Sequence, residues 1–251
     1  MSRFSLPKIL LTTGLALLLA SCGSNNSNTV VPPFTPTFSN SSLAGSFVFT
    51  AAGTDATDGD YFAAGSFTAD GAGNLTGIED VNLGSGVDSD IPVTGTYLIN
   101  ANGSGTLTLI DASGNKDTLG VQLDTAGGTV LTSFDSGPAG TLERQNLTGF
   151  VRSGAYTFSV SGSDNVGALT ITGTFTVDSL GNVTGGKQDI TENGITTAGV
   201  AFTGVMTPVF DGGRGRILLG GNQYSYYVVS ANKIILAGLD ETVFLHGTAT
   251  K

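Results

Sequence analysis

The chain has 251 residues, 20 of them acidic and 10 basic, with 38 glycines, one cysteine, one histidine and no tryptophan. Its net charge of −10 excludes nucleic acid as a partner, because phosphates are contacted through Lys and Arg, and excludes adhesion to anionic lipid through a basic patch. With a single cysteine no internal disulfide forms, so the folded part must be held by burial, which a domain of about 100 residues can manage.

At the N-terminus, Arg3 and Lys8 precede an uncharged run over 9–20. The run is shorter than the roughly 20 apolar residues of a membrane-spanning helix and has the layout of a secretory signal. It ends in Leu19-Ala20-Ser21-Cys22. This tetrapeptide resembles the lipobox of bacterial lipoproteins. The resemblance implies cleavage between Ser21 and Cys22, a diacylglycerol on the Cys22 thiol and acylation of the new amino terminus. Two or more acyl chains hold a membrane stably, where one is marginal. Gly23 stands where an Asp would favour the inner membrane in that family, which implies the outer membrane or cell surface. The expected location is thus the cell envelope, with the membrane contacted through the lipid. Without Arg3 and Lys8, residues 22–251 carry 8 bases against 20 acids, a net −12.

Residues 23–42 are rich in Ser, Asn, Thr and Pro and sustain no period, as a tether would. Beyond it the chain is duplicated. Gly65-Ser66-Phe67-Thr68-Ala69-Asp70-Gly71-Ala72-Gly73-Asn74-Leu75-Thr76-Gly77 matches Gly173-Thr174-Phe175-Thr176-Val177-Asp178-Ser179-Leu180-Gly181-Asn182-Val183-Thr184-Gly185, and Gly45-Ser46-Phe47-Val48-Phe49 matches Gly154-Ala155-Tyr156-Thr157-Phe158. The expected organisation is a signal peptide over 1–21, the lipidated Cys22 and tether over 22–42, and β modules over 43–146 and 147–251.

Within a copy the apolar period is two, as in Leu119, Val121 and Leu123 or Tyr156, Phe158 and Val160, which marks half-buried strands. Gly, Asp and Asn clusters punctuate at hairpin intervals. In the first copy this predicts strands near 46–52, 61–69, 74–82, 91–100, 105–111, 116–124, 129–134 and 139–145. Eight follow in the second, ending with 223–230, 233–240 and 242–248. The fold class is therefore all-β: two tandem antiparallel modules, each an eight-stranded up-and-down barrel that closes its own edges. Two immunoglobulin-like sandwiches remain the alternative. The rhythm from Gly-x-Phe through a Gly-Asn hairpin to Gly95-Thr96-Tyr97 resembles lipocalin-type meanders. The repeat as a whole resembles duplicated β-rich modules of exported bacterial proteins of unknown role, and implies no activity.

Few residues offer chemistry. His246 lacks a partner His or Cys for zinc and reads as a structural or solvent-facing residue. Asp70-Gly71-Ala72-Gly73-Asn74 reads as a hairpin, Asp70 capping the turn and Gly73 taking positive φ, and not as a calcium loop. Asp55-Ala56-Thr57-Asp58-Gly59-Asp60 reads as a solvated acidic loop. The neighbours Glu79-Asp80 point to opposite faces of a strand and so cannot flank one glycosidic bond; Asp240-Glu241 is read the same way. Gly212-Gly213-Arg214-Gly215 reads as a turn. No metal, cofactor or catalytic residue is assigned, and the chain is expected not to be an enzyme. Residues 43–145 carry 13 acids against Lys116 and Arg144, whereas 146–251 carry 7 acids against 6 bases, which reads as drift on solvated faces. Two functional expectations stand: a monomeric, non-catalytic surface module that presents loops to a protein or glycan, or a carrier of a small apolar ligand, lined by aromatics such as Phe62, Tyr97, Tyr224 and Tyr226.

Overall fold

A computed structural model describes residues 37–55, 59–83, 86–124, 129–133 and 139–251. Its hairpins begin with local chemistry. The Asp70 carboxylate accepts the backbone N–H groups of Ala72, Gly73 and Asn74 at 2.7, 2.9 and 3.0 Å, and the Asn74 side-chain amide at 2.7 Å. Gly73 takes φ 119°, a region that L side chains avoid. These bonds, the Asn74 side chain first, hold the Asp70 carboxyl down at about 2. Asp178 binds Leu180 and Asn182 in the same way, and Asp111 binds Ser113 and Asn115. The sequence Asp-x-x-Gly-Asn thus closes three hairpins by itself.

Sixteen strands result. The first eight are β1 (Gly45–Asp55), β2 (Gly59–Ala69), β3 (Asn74–Asn82), β4 (Val87–Ile99), β5 (Ser104–Asp111), β6 (Lys116–Leu123), β7 (Thr129–Ser133) and β8 (Ala139–Arg144). The second eight are β9 (Gly154–Asp164), β10 (Ala168–Val177), β11 (Asn182–Glu192), β12 (Ile195–Met206), β13 (Arg214–Leu219), β14 (Asn222–Ser230), β15 (Lys233–Gly238) and β16 (Val243–Thr250). Each strand pairs antiparallel with its sequence neighbours, and β1 with β8 and β9 with β16 complete two closed barrels. The sandwich alternative is corrected by this closure, since a sandwich leaves edge strands and these sheets have none. All sixteen strands lie within Pro36–Lys251, one compact unit.

Alternate residues fill each barrel: Phe47, Phe49, Phe67, Leu75, Leu107 and Leu109 in the first, and Tyr156, Phe158, Phe175, Tyr224, Tyr226 and Leu236 in the second. One end of the first barrel is stoppered by the 3-10 turn Asn40–Leu43, which inserts the fully buried Leu43. Asn40 ties the stopper down by accepting the Ile99 N–H at 2.8 Å, and Arg144 donates to the Ala44 carbonyl at 2.9 Å. In the second barrel Phe150 packs against the core and Arg152 donates to the Met206 carbonyl at 2.8 Å.

The barrels are joined through their outer faces. Val48, Phe62 and Ala64 of the first pack against Tyr227, Val229, Ile235 and Ala237 of the second. Residues 224–229 and 234–238 are consequently buried without interruption, because one face of β14 and β15 lines a barrel and the other lines the seam.

Polar groups complete the seam. Asp80 accepts from Arg214 Nε at 2.7 Å and Nη2 at 2.5 Å, from the Tyr227 hydroxyl at 2.5 Å and from the Asp90 N–H at 3.0 Å. Arg214 also pairs with Asp90 and donates to Ser225 Oγ at 2.9 Å, and Arg216 reaches Asp90 at 2.5 Å. Asp90 adopts φ 61°, a left-handed conformation that Asp tolerates better than most residues and that here serves both arginines and Asp80. Lys233 pairs with Glu143 at 2.7 Å, and Gln145 donates to the carbonyls of Gly212 and Val228 at 2.8 Å each. Gly212 has φ 69°, and a Cβ there would lie 2.5 Å from Ser66 Oγ.

Every ion pair among the described residues crosses the seam from an acid of the first barrel to a base of the second. The uneven charge of the two copies, expected to be drift on solvated faces, is in part this complementarity. Burial raises the Asp80 carboxyl, but the hydrogen bonds from Arg214 and Tyr227 outweigh it and hold it below its usual 3.8. Its contribution to stability is therefore present at neutral pH and lost as pH falls below that value.

Arg214→Ala strands a buried carboxylate and should destabilise the protein by about 3–5 kcal/mol, whereas Arg214→Met with Asp80→Leu should recover most of the loss. Chemical denaturation of the two variants at pH 7 checks both.

Candidate functional site

The duplication supplies an internal comparison for the barrel interiors. In the first barrel Phe49 lies opposite Gly65 and Gly65 opposite Glu79. In the second, Phe158 lies opposite Gly173 and Gly173 opposite Gln188. Glu79 and Gln188 therefore occupy equivalent positions beside equivalent phenyl rings. Of the seven buried polar or charged side chains other than tyrosine among the described residues, the remaining five lie at the seam, and these two point into the barrels.

The next inward pair differs. Barrel one has Ala51 opposite Ala63 where barrel two has Val160 opposite Ile171. That is two fewer side-chain carbons at the first position and three fewer at the second. Val160 and Ile171 are packed core residues, while Ala63 is only partly covered. Barrel one therefore carries less side-chain bulk at this level, toward the end opposite the Leu43 stopper. Gln188 instead lies beneath a surface cleft of about 580 Å³ where β12 and β13 part.

Glu79 is 5% exposed and accepts no hydrogen bond from any described residue. Its carboxyl is pushed up from 4.5 to about 7, first by burial and then by the charges of Asp117, Asp111 and Asp80. Asp111 and Asp117 sit where the β5–β6 hairpin meets the open end. Burial followed by Asp111 raises the Asp117 carboxyl as well. A buried carboxyl raised in this way is the kind of group found at binding and catalytic sites.

Other residues singled out in the sequence take structural roles. Glu79 and Asp80 do face opposite ways, one into the barrel and one into the seam. Thr54 donates to Asp60 at 2.9 Å, while residues 56–58 of the acidic loop lie outside the described residues. Asp240 accepts the Thr242 N–H at 3.0 Å within a turn. His246 is sandwiched at the seam: its ring stacks on Phe62 at 4.1 Å with 4° between planes and meets the edge of Phe244 at 5.9 Å. Burial lowers its pKa, and it lines a groove of about 570 Å³ between the barrels. Phe62 thus lies outside the barrel it was expected to line. Tyr97 is inside but donates to the Asn40 carbonyl at 3.3 Å, and Tyr226 is committed to the Thr207 carbonyl at 2.7 Å. Gly212 and Gly213 do form the expected turn, and sequence reasoning missed that it delivers Arg214 to the seam. Ser21 and Cys22 lie outside the described residues. No three described His, Cys, Asp or Glu residues are placed to hold a metal ion.

No protein-family model matches the chain, and no curated protein matches it. Among solved structures it is similar to kievitone hydratase from Nectria haematococca, at 10% identity over 89% of this chain and 93% of that one, with a TM-score of 0.24. It is also similar to a protein assigned as AttH from Nitrosomonas europaea, at 7% identity over 92% of this chain and 99% of that one, with a TM-score of 0.28. The match to a hydratase corrects the expectation that the chain is not an enzyme: lack of a recognisable catalytic motif is no ground for excluding catalysis. At these TM-scores neither likeness carries an activity to this chain.

The raised carboxyl of Glu79 has a consequence for stability. A carboxyl raised on folding stabilises fully below 4.5, and this contribution is lost as pH rises through about 7. The difference corresponds to about 3 kcal/mol. Glu79→Gln should therefore leave Tm unchanged near pH 4 and raise it by roughly 5–10 °C at pH 8, as thermal melts across that range would show.

Proposed function

We propose that this chain is a lipoprotein of the cell envelope that holds a small, largely apolar molecule in its first barrel, with Glu79 as the polar anchor. The observation that carries the reading is small side chains near a buried carboxyl that no described residue hydrogen-bonds: Ala51 and Ala63 stand in the first barrel where Val160 and Ile171 fill the second. An eight-stranded barrel is just wide enough to hold one small ligand. The outer faces of β1 to β3 and β13 to β15 are consumed by the seam, which leaves a loop-presenting module fewer surfaces to offer.

Lipidation follows from the lipobox resemblance around Cys22. Among the described residues no helix is long and apolar enough to cross a membrane. Cys22→Ser should abolish incorporation of labelled palmitate and move the protein from the membrane fraction to the soluble fraction.

Ligand binding is tested by native mass spectrometry of Pro36–Lys251. The protein should carry a discrete mass that is released on denaturation, and Ala51→Val with Ala63→Ile should abolish it. A bare protein from the native host, or an adduct that survives the filled variant, would overturn the reading.

A second reading rests on the same carboxyl. Near 7 it can both donate and accept a proton at neutral pH, so the bound molecule would be a substrate for acid–base chemistry. Glu79→Gln would then retain a molecule that the unaltered protein releases chemically changed, a difference visible in the masses of the extracted ligands.

A further inference from the structure

We infer that the first barrel selects apolar molecules bearing a protonated amine; this rests on the ligand-binding reading above and names the head group. The charges that bear on Glu79 are those of Asp117, Asp111 and Asp80; Asp80 faces the seam, where Arg214 pairs with it, and Asp111 and Asp117 lie at the open end. Residues 43–145 contain only two bases. Arg144 is held at the stoppered end by the Ala44 carbonyl, and Lys116 adjoins Asp117 on a strand where successive side chains face opposite ways.

A carboxylate in this position has lost most of its water and gains no donor from any described residue. An ammonium group supplies both at once, since it donates hydrogen bonds and neutralises the charge where the surrounding dielectric is low. A carboxylate or sulfate head group would meet Glu79, Asp111 and Asp117 at the same end of the barrel. An alcohol could hydrogen-bond to Glu79 but would leave any charge there uncompensated. The small side chains Ala51 and Ala63, on β1 and on β2 beside β3, suit the apolar part of such a molecule. Barrel two provides the contrast: the equivalent position is the neutral Gln188, and its flanking pair Val160 and Ile171 is filled.

The probes are decylamine, 1-decanol and decanoate, which share one apolar chain and differ only in head group. Each would be titrated at pH 7 by calorimetry into Pro36–Lys251, the compact unit within which both barrels close. Decylamine should bind at least ~10-fold more tightly than decanoate. In Glu79→Gln that preference should fall to about 3-fold or less. Equal binding of the amine and the acid, or an amine preference that survives Glu79→Gln, would overturn the selectivity and leave the carrier reading standing. If none of the three binds, the carrier reading itself fails, and the inference with it. Binding that persists in the Ala51→Val, Ala63→Ile variant would place the site elsewhere and overturn both. Because removing a buried charge is expected to stabilise the barrel, a folded Glu79→Gln protein is available for the comparison.

Discussion

A closed barrel offers its neighbours no strand edge, so two of them can be joined only through side chains on their outer faces. That constraint organises this molecule. β1 to β3 and β13 to β15 must be apolar outside as well as inside, and the polar atoms caught between them must find partners. Asp80, Arg214, Tyr227 and Asp90 meet this demand as a set, with Asp80 accepting four hydrogen bonds. Buried ion pairs of this kind add little net stability over apolar packing. What they contribute is register: the fork of Arg214 fits one placement of the barrels, and misdocking would leave charges without water or partner.

Inside the barrels the same ancestral pattern has been kept in outline and changed in volume. Both copies hold a phenyl ring over a glycine and a buried polar side chain beyond it. The copies diverge in charge, Glu79 against Gln188, and in bulk, Ala51 and Ala63 against Val160 and Ile171. A barrel tightly filled at this level has small use for a polar group, whereas an opened one makes it reachable. The two changes sit on adjacent strands and act in the same direction, so they are better understood as one adaptation than as unrelated drift.

The strand pattern was plain in the sequence because turns such as Asp70 to Asn74 are made by their own residues and alternation of period two needs no tertiary knowledge. The barrel closure followed from strand count and short loops. The seam was not anticipated, although Tyr226-Tyr227-Val228-Val229 and Ile234-Ile235-Leu236-Ala237 break the alternation in the way that strands covered on both faces must. Arg214 was hidden in a glycine-rich turn whose local reading was right. The opposite directions of Glu79 and Asp80 could be read from the strand period. Their burial depends on what the rest of the chain brings to each face, which no local pattern reports. The contrast of Ala51 and Ala63 with Val160 and Ile171 lay open to a position-by-position comparison of the repeats.

The closure of the second barrel bears on the order of events during folding. Its first strand, β9, is completed by its last, β16, and Lys251 donates to the carbonyls of Val151 and Ser153. No β9–β16 ladder can form until β16 has been synthesised. The first barrel, complete at Arg144, can close before β9 to β16 have been made. During that interval its outer face shows Val48, Phe62 and the Asp80 carboxylate to the solvent, an aggregation-prone surface with a charge awaiting its arginine. The kinetic burden of this architecture thus falls on a half-assembled intermediate. Pairings so distant in sequence form slowly, which makes that species the natural client of a chaperone.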